Sequence, residues 1–178
     1  MIHPHTYIHP NSKLATNVKV DPFTVIHQDV EIGEGTWIGS NVTIMEGARI
    51  GKNVSIFPGS VIAAIPQDLK YEGETTTVEI GDNTTIREFV TINRGSKEKW
   101  KTKVGSNCLI MAYSHIAHDC EVGDYCIMSN NTQMAGHVVM GDHSILAGMC
   151  AIHQFVKIGQ HAFIAGGSLV SKDVPPYI

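Results

Sequence analysis

VGSNCL IMAYSH IAHDCE VGDYCI MSNNTQ MAGHVV MGDHSI LAGMCA IHQFVK IGQHAF IAGGSL, residues 104 to 169, divides into groups of six that each begin with an aliphatic residue or Met. The same frame runs upstream at Ile8, Leu14, Val20, Ile26, Ile32, Ile38, Ile44, Ile50, Ile56 and Ile62, and again at Ile80, Ile86 and Ile92. Counting Val170, the chain holds 25 such hexads. The fifth position of each is Ser, Thr, Ala, Val or Cys, with Pro66 the one exception. Gly or another small residue is common in the second position, and Asn, Asp or Gly in the fourth.

A period of six matches neither a helix nor a long alternating strand. It matches a short strand followed by a corner. Positions five and one lie two residues apart, so both point inward from one strand. Positions two to four form the corner, where Gly, Asn and Asp tolerate positive φ. Three such sides close a triangular coil, and the expected fold is a left-handed parallel β-helix, an exception to the right-handed crossover rule. Roughly eight coils at a strand spacing of ~4.8 Å give a prism about 40 Å tall. Residues 1–178 are read as one such all-β domain. The open sheet edges at its two ends need caps, and residues 1–7 are expected to begin one.

The frame skips at Asp68–Glu79 (DLKYEGETTTVE) and at Glu98–Lys103. Both skips are multiples of six, so both segments are expected to protrude as loops from corners. Loops on a rigid scaffold often carry function, and the first contains Asp68, Lys70 and Tyr71.

Composition narrows the class. A formal net charge of −4 over 178 residues, with no basic patch, argues against nucleic-acid binding. No apolar stretch is long enough to span a bilayer, and the start MIHPHTYIHP lacks the apolar core of a signal peptide. A soluble cytoplasmic protein without stable membrane insertion is expected. Cys108, Cys120, Cys126 and Cys150 all fall in position five, so they read as interior filler with no zinc-type spacing. The Asn-x-Ser/Thr strings at Asn41, Asn53 and Asn83 are by-products of the repeat.

The histidines are organised differently. Hexads starting at 116, 134 and 152 stack on one side of successive coils. His118 is position three of the first, His137 position four of the second and His153 position two of the third, so all three line one corner. His115 approaches from the neighbouring side, Gly136 and Gln154 share the corner, and Asp119 follows His118. Imidazole, with an ordinary pKa of about 6.5, suits proton transfer at neutral pH. His3, His5, His9 and His27 lie far along the axis, and His143 and His161 fall on another side; all six read as surface.

The motifs IPQDLKY (65–71), NRG (93–95), HIAHDC (115–120), AGHV (135–138), HQF (153–155) and DVPPY (173–177) together resemble the UDP-N-acetylglucosamine 3-O-acyltransferase family, within the broader hexapeptide-repeat acyltransferases. That family opens lipid A synthesis, moving a 3-hydroxyacyl chain from acyl carrier protein to the sugar 3-hydroxyl. The resemblance implies a homotrimer with sites between subunits, and no cofactor beyond the carrier's phosphopantetheine thioester. It implies His118 as general base, Asp119 as its orienting partner and the Gly136 N–H as oxyanion donor. Asp68, Lys70, His115, His137, His153 and Gln154 would contact the nucleotide sugar. Gly166 matches the position that measures acyl-chain length, and Phe163 lies near it; the glycine favours a long chain and the phenyl ring works against it. Family members continue past DVPPY into a helical C-terminal domain, which the resemblance implies is absent from these 178 residues.

Two rival readings differ in class. A γ-class carbonic anhydrase shares the prism and binds zinc through histidines, which His115, His118 and His137 could imitate, although that family spaces its paired histidines differently from HIAH. A non-catalytic β-helix used for surface adsorption would need a flat Thr ladder, and the outward positions here are irregular and charged. Neither a resident metal nor a ladder is therefore expected.

Overall fold

A computed structural model describes residues 1–178. Twenty-five short strands form three parallel sheets of nine, eight and eight strands. We number the faces by their first strands: face 1 begins at Tyr7–Ile8, face 2 at Lys13–Leu14 and face 3 at Lys19–Val20. Each strand pairs with the strand one coil further on, as His115 with Gln133 and Ile116 with Met134. The fold is the expected left-handed parallel β-helix.

The hexad accounts for the core. First-position residues such as Ile26, Ile44, Ile62, Ile92, Ile116 and Met134 are fully buried and stack along the axis. Together with fifth-position residues they form a single cluster of 37 buried side chains, so one core serves all coils. The preference for Ser, Thr and Cys in position five also has a cause. Their short donors reach the second-position carbonyl of the next coil: Thr24 to Gly39 at 2.7 Å, Ser114 to Ser129 at 3.0 Å and Cys108 to Gly123 at 3.1 Å. Burial of a hydroxyl or thiol is thereby satisfied. All four cysteines are buried free thiols that fill position five, and burial pushes the Cys120 thiol up to about 12.

Position four supplies the turn. Asn17, Asn41, Asn53, Asn83, Asn107, Asp119 and His137 all adopt positive φ there. Aromatic residues in the same position stack between coils, as Tyr125, His143 and His161 do at 4.7 to 4.8 Å, and Tyr177, past the last hexad, extends the stack at 4.9 Å. That column lies on the corner between faces 2 and 3, away from His118, as the spacing predicts for His143 and His161.

Both expected loops are present, with shifted bounds. Thr77–Ile80 is a strand of face 2 pairing with Ala48–Ile50 on one side and Lys101–Val104 on the other. The protruding segments are therefore 65–76 and 94–100, between the neighbouring strands. The correction follows from burial: Val78 and Thr102 fill the interior column beside Ala48, all fully buried. The first loop departs from a corner where Ala63 takes the positive φ and the strand register shifts between Ile62 and Ala64. Residues 1–7 are not a separate cap; Ile2 bridges to Val20 and the His3 N–H donates to the Val20 carbonyl, continuing the coil. No helix is long and apolar enough to cross a membrane.

Candidate active site

The corner between faces 1 and 2 gathers the expected residues. His115–Ile116 is the last strand of face 1 before it, and Glu121–Val122 the first of face 2 after it. Asp119 takes φ 60° at the turn and is 0% exposed. A buried carboxylate needs partners, and Asp119 has three. Its Oδ1 accepts from the Ser96 N–H at 2.9 Å and the Lys99 N–H at 3.2 Å, and its Oδ2 lies 2.8 Å from His118 Nδ1. Burial pushes this carboxyl up, yet the bonds from Ser96 and His118 outweigh it and hold it below the usual carboxylate range. The ionised carboxylate then keeps the proton of His118 on Nδ1 and leaves Nε2 with the free lone pair.

The next coil presents its backbone to that ring. A Cβ on Gly136 would sit 2.8 Å from His118 Cε1 and 2.9 Å from Nε2, so only glycine admits the ring here. The Gly136 N–H donates to no acceptor in the chain. His118 and Gly136 line a cavity of about 420 Å³ together with Gln67, His115, Gln133 and Gln154.

His137 is edge-on to His118, with ring centroids 5.1 Å apart, and stacks on Phe155 at 4.5 Å. Burial lowers the readiness of His137 to protonate, with the Asp119 charge working against it. Burial does the same to His115, whose Nδ1 contacts Thr91 Oγ1 at 2.7 Å.

The other expected residues divide. Gln154 lines the main cavity, whereas His153 lines an abutting apolar groove with Leu169 and Val170. Asp68 and Lys70 sit on the first loop, where Asp68 Oδ1 accepts from the Lys70 N–H at 3.0 Å; the loop residue lining the cavity is Gln67. Phe163, 57% exposed, and Gly166 are not brought to this corner. Phe163 lies on the strand Phe163–Ile164 of face 3, and Gly166 on the turn that follows it into face 1, where a Cβ would meet the Gly148 carbonyl at 3.2 Å. The three-histidine arrangement does not form either: the convergent ligand-type side chains are His118, Asp119 and His137, without His115.

Gln133 and Gln67 join the site beyond the expected set. Spacing alone places Gln133 in the same outward column as His115, which is a legible signal. Gln67 adjoins Asp68 within IPQDLKY. The amides of Ser96 and Lys99 carry no signal, since any residue type supplies a main-chain N–H.

The family model described as bacterial transferase hexapeptide (six repeats) matches residues 29–64 and 101–136. A UDP-N-acetylglucosamine acyltransferase structure from Bacteroides fragilis is 49% identical, with a TM-score of 0.99, covering 100% of this chain and 70% of that one. LpxA from Acinetobacter baumannii is 45% identical, with a TM-score of 0.98, covering 99% and 69%. The acyl-[acyl-carrier-protein]–UDP-N-acetylglucosamine O-acyltransferase of Cupriavidus taiwanensis is 53% identical over 122 residues, 68% of this chain and 46% of that protein. The matched stretch thus spans about half the length of such curated relatives or less. With identity well above what a shared fold alone requires, and over two thirds of the solved relatives covered, the chain belongs to the UDP-N-acetylglucosamine acyltransferase family.

Proposed function

We propose that this chain transfers a 3-hydroxyacyl group from acyl carrier protein to the 3-hydroxyl of UDP-N-acetylglucosamine, the opening step of lipid A synthesis, in the cytoplasm. The observation that carries the reading is the His118–Asp119 pair at 2.8 Å, backed by loop amides and packed against Gly136 in the wall of a cavity. Asp119 holds His118 in the tautomer whose Nε2 accepts a proton. The sugar hydroxyl loses its proton to Nε2 as its oxygen attacks the thioester carbonyl. The carbonyl oxygen becomes an oxyanion, which the Gly136 N–H stabilises; such a donor contributes about 3 kcal/mol in comparable sites. Collapse expels the carrier thiolate, which takes the proton back from His118. No cofactor of the chain's own enters; the phosphopantetheine thioester is a co-substrate.

His115, His137, Gln154 and His153 bind the sugar and nucleotide, with Asp68 and Lys70 reaching over from the first loop. Gln67 and Gln133 join them from their positions in the cavity wall. The site opens on a convex corner, so a facing wall must come from elsewhere, and a homotrimer supplies it through a head-to-tail interface. Phe163 and Gly166 then measure the acyl chain from a neighbouring subunit.

The test is acyl transfer by this chain and its His118→Ala variant. Loss of a general base lowers turnover by about 10²–10⁴-fold. A variant that retains the parent rate removes His118 from the reaction.

A further inference from the structure

His137 presents a second, separate chemistry. Its side chain is 10% exposed, and it makes no hydrogen bond in the chain. Its Nε2 instead faces two carboxylates, Glu98 Oε2 at 3.8 Å and Asp119 Oδ2 at 3.9 Å. Both gaps are too long for a hydrogen bond. They are close to the separation of two atoms bound to one ion: a tetrahedral zinc with bonds of about 2.0–2.2 Å holds its ligands about 3.4 Å apart. His118, Asp119 and His137 each offer one ligand atom, all within 4.8 Å of one another. Glu98, half exposed on the second loop, can move the remaining half ångström.

The supporting shell is also built. Ligand carboxylates in metal sites are held by outer hydrogen bonds, and Asp119 Oδ1 is already fixed by the Ser96 and Lys99 amides, which leaves Oδ2 directed at both rings. The nearby Lys99 ammonium is paired with Glu121 at 2.9 Å.

We propose that His118, Asp119, His137 and Glu98 form a binding site for a divalent transition-metal ion, zinc by ligand type, and that occupancy reversibly shuts off transfer. The ion binds His118 through Nδ1, the atom beside Asp119 Oδ2, in place of the hydrogen bond between them; the ring proton then sits on Nε2, since a neutral imidazole has only one lone pair. An occupied His118 cannot accept the hydroxyl proton. The inhibition rests on His118 being the base; the binding does not.

The experiment uses the full chain, stripped with a chelator. Zinc affinity is measured by competition with a chromophoric chelator, and cobalt(II) reports four-coordinate geometry by its visible spectrum. One ion per chain is expected, with affinity lowered on the order of tenfold or more in both His137→Gln and Glu98→Gln, at least the loss seen for outer-shell partners. Stripped Glu98→Gln transfers acyl groups at the parent rate, and its zinc inhibition shifts to correspondingly higher concentration. No binding, binding unchanged in both variants, or a zinc-loaded chain that transfers at the stripped rate would each overturn the proposal. A stripped chain that transfers nothing counts against the functional reading instead, while the chelator competition still decides the site.

Discussion

Gly136 owes its place to the ring beside it. A methyl group there would press on His118 at 2.8 Å, and the neighbour that must yield is the ring itself. Gly136→Ala is therefore expected to fold as the parent does while displacing His118. A misplacement of about 1 Å costs roughly 10²-fold in rate. Steady-state kinetics beside a circular dichroism spectrum check this; unchanged kcat in a folded variant contradicts the geometry. Acid acts on the same corner. His115 and His137 resist protonation chiefly because burial disfavours the charged ring. The unfolded chain therefore takes up those protons first as pH falls below about 6.5, so the stability involved is complete above that value and is lost through the lower folded values. Asp119, held below its ordinary range, adds a loss in the same direction below about pH 4. The urea midpoint is expected to fall between about pH 7 and pH 5, less steeply in His137→Gln. A midpoint flat across that range, or an identical slope in the variant, refutes the assignment. The convergence of His118 and His137 was legible because residues one coil apart share a corner. What holds Asp119 was not, because main-chain donors carry no residue signature.

At the scale of the hexad, each turn needs one left-handed residue, and whether that residue is glycine has a measurable cost. Gly167 sits at φ 73° with no atom within 4 Å of the point where a Cβ would stand, so a methyl group there meets only backbone strain. Gly148, one coil earlier at position three, has ordinary φ and a single carbonyl contact at 3.4 Å. Gly167→Ala is expected to destabilise the fold by about 1 kcal/mol, as left-handed backbone does for residues with a Cβ, and Gly148→Ala to leave it nearly unchanged. Urea unfolding of the two variants separates them, and equal effects would show that φ does not govern the corner. The repeat made this architecture readable, since inward positions one and five and turn position four each have their own residue chemistry. The loop bounds resisted because the returning strand Thr77–Ile80 turns only Val78 and Ile80 inward, and Lys101–Val104 only Thr102 and Val104. Neither segment shows a full hexad, yet main-chain pairing recruits both.

For the molecule as a whole, the position of Gly166 is the most informative datum. It lies on the corner between faces 3 and 1, whereas His118 lies between faces 1 and 2, so one chain cannot present both to a single substrate from the same corner. In a threefold ring every interface is head-to-tail, and different corners of neighbouring subunits meet. If the proposed trimer builds each site from the His118 corner of one subunit and the Gly166 corner of the next, defects in the two residues complement. A His118→Ala subunit still has an open Gly166, and a Gly166→Trp subunit still has its base. Each variant alone is expected to be inactive towards a long acyl chain. Assemblies refolded from equal amounts of both should recover about a quarter of the parent activity, the share of interfaces that pair an intact base with an intact glycine. The measurement is acyl transfer by the mixture against each variant alone, with light scattering to confirm three chains per particle. Mixtures no more active than their parts remove the shared-site arrangement.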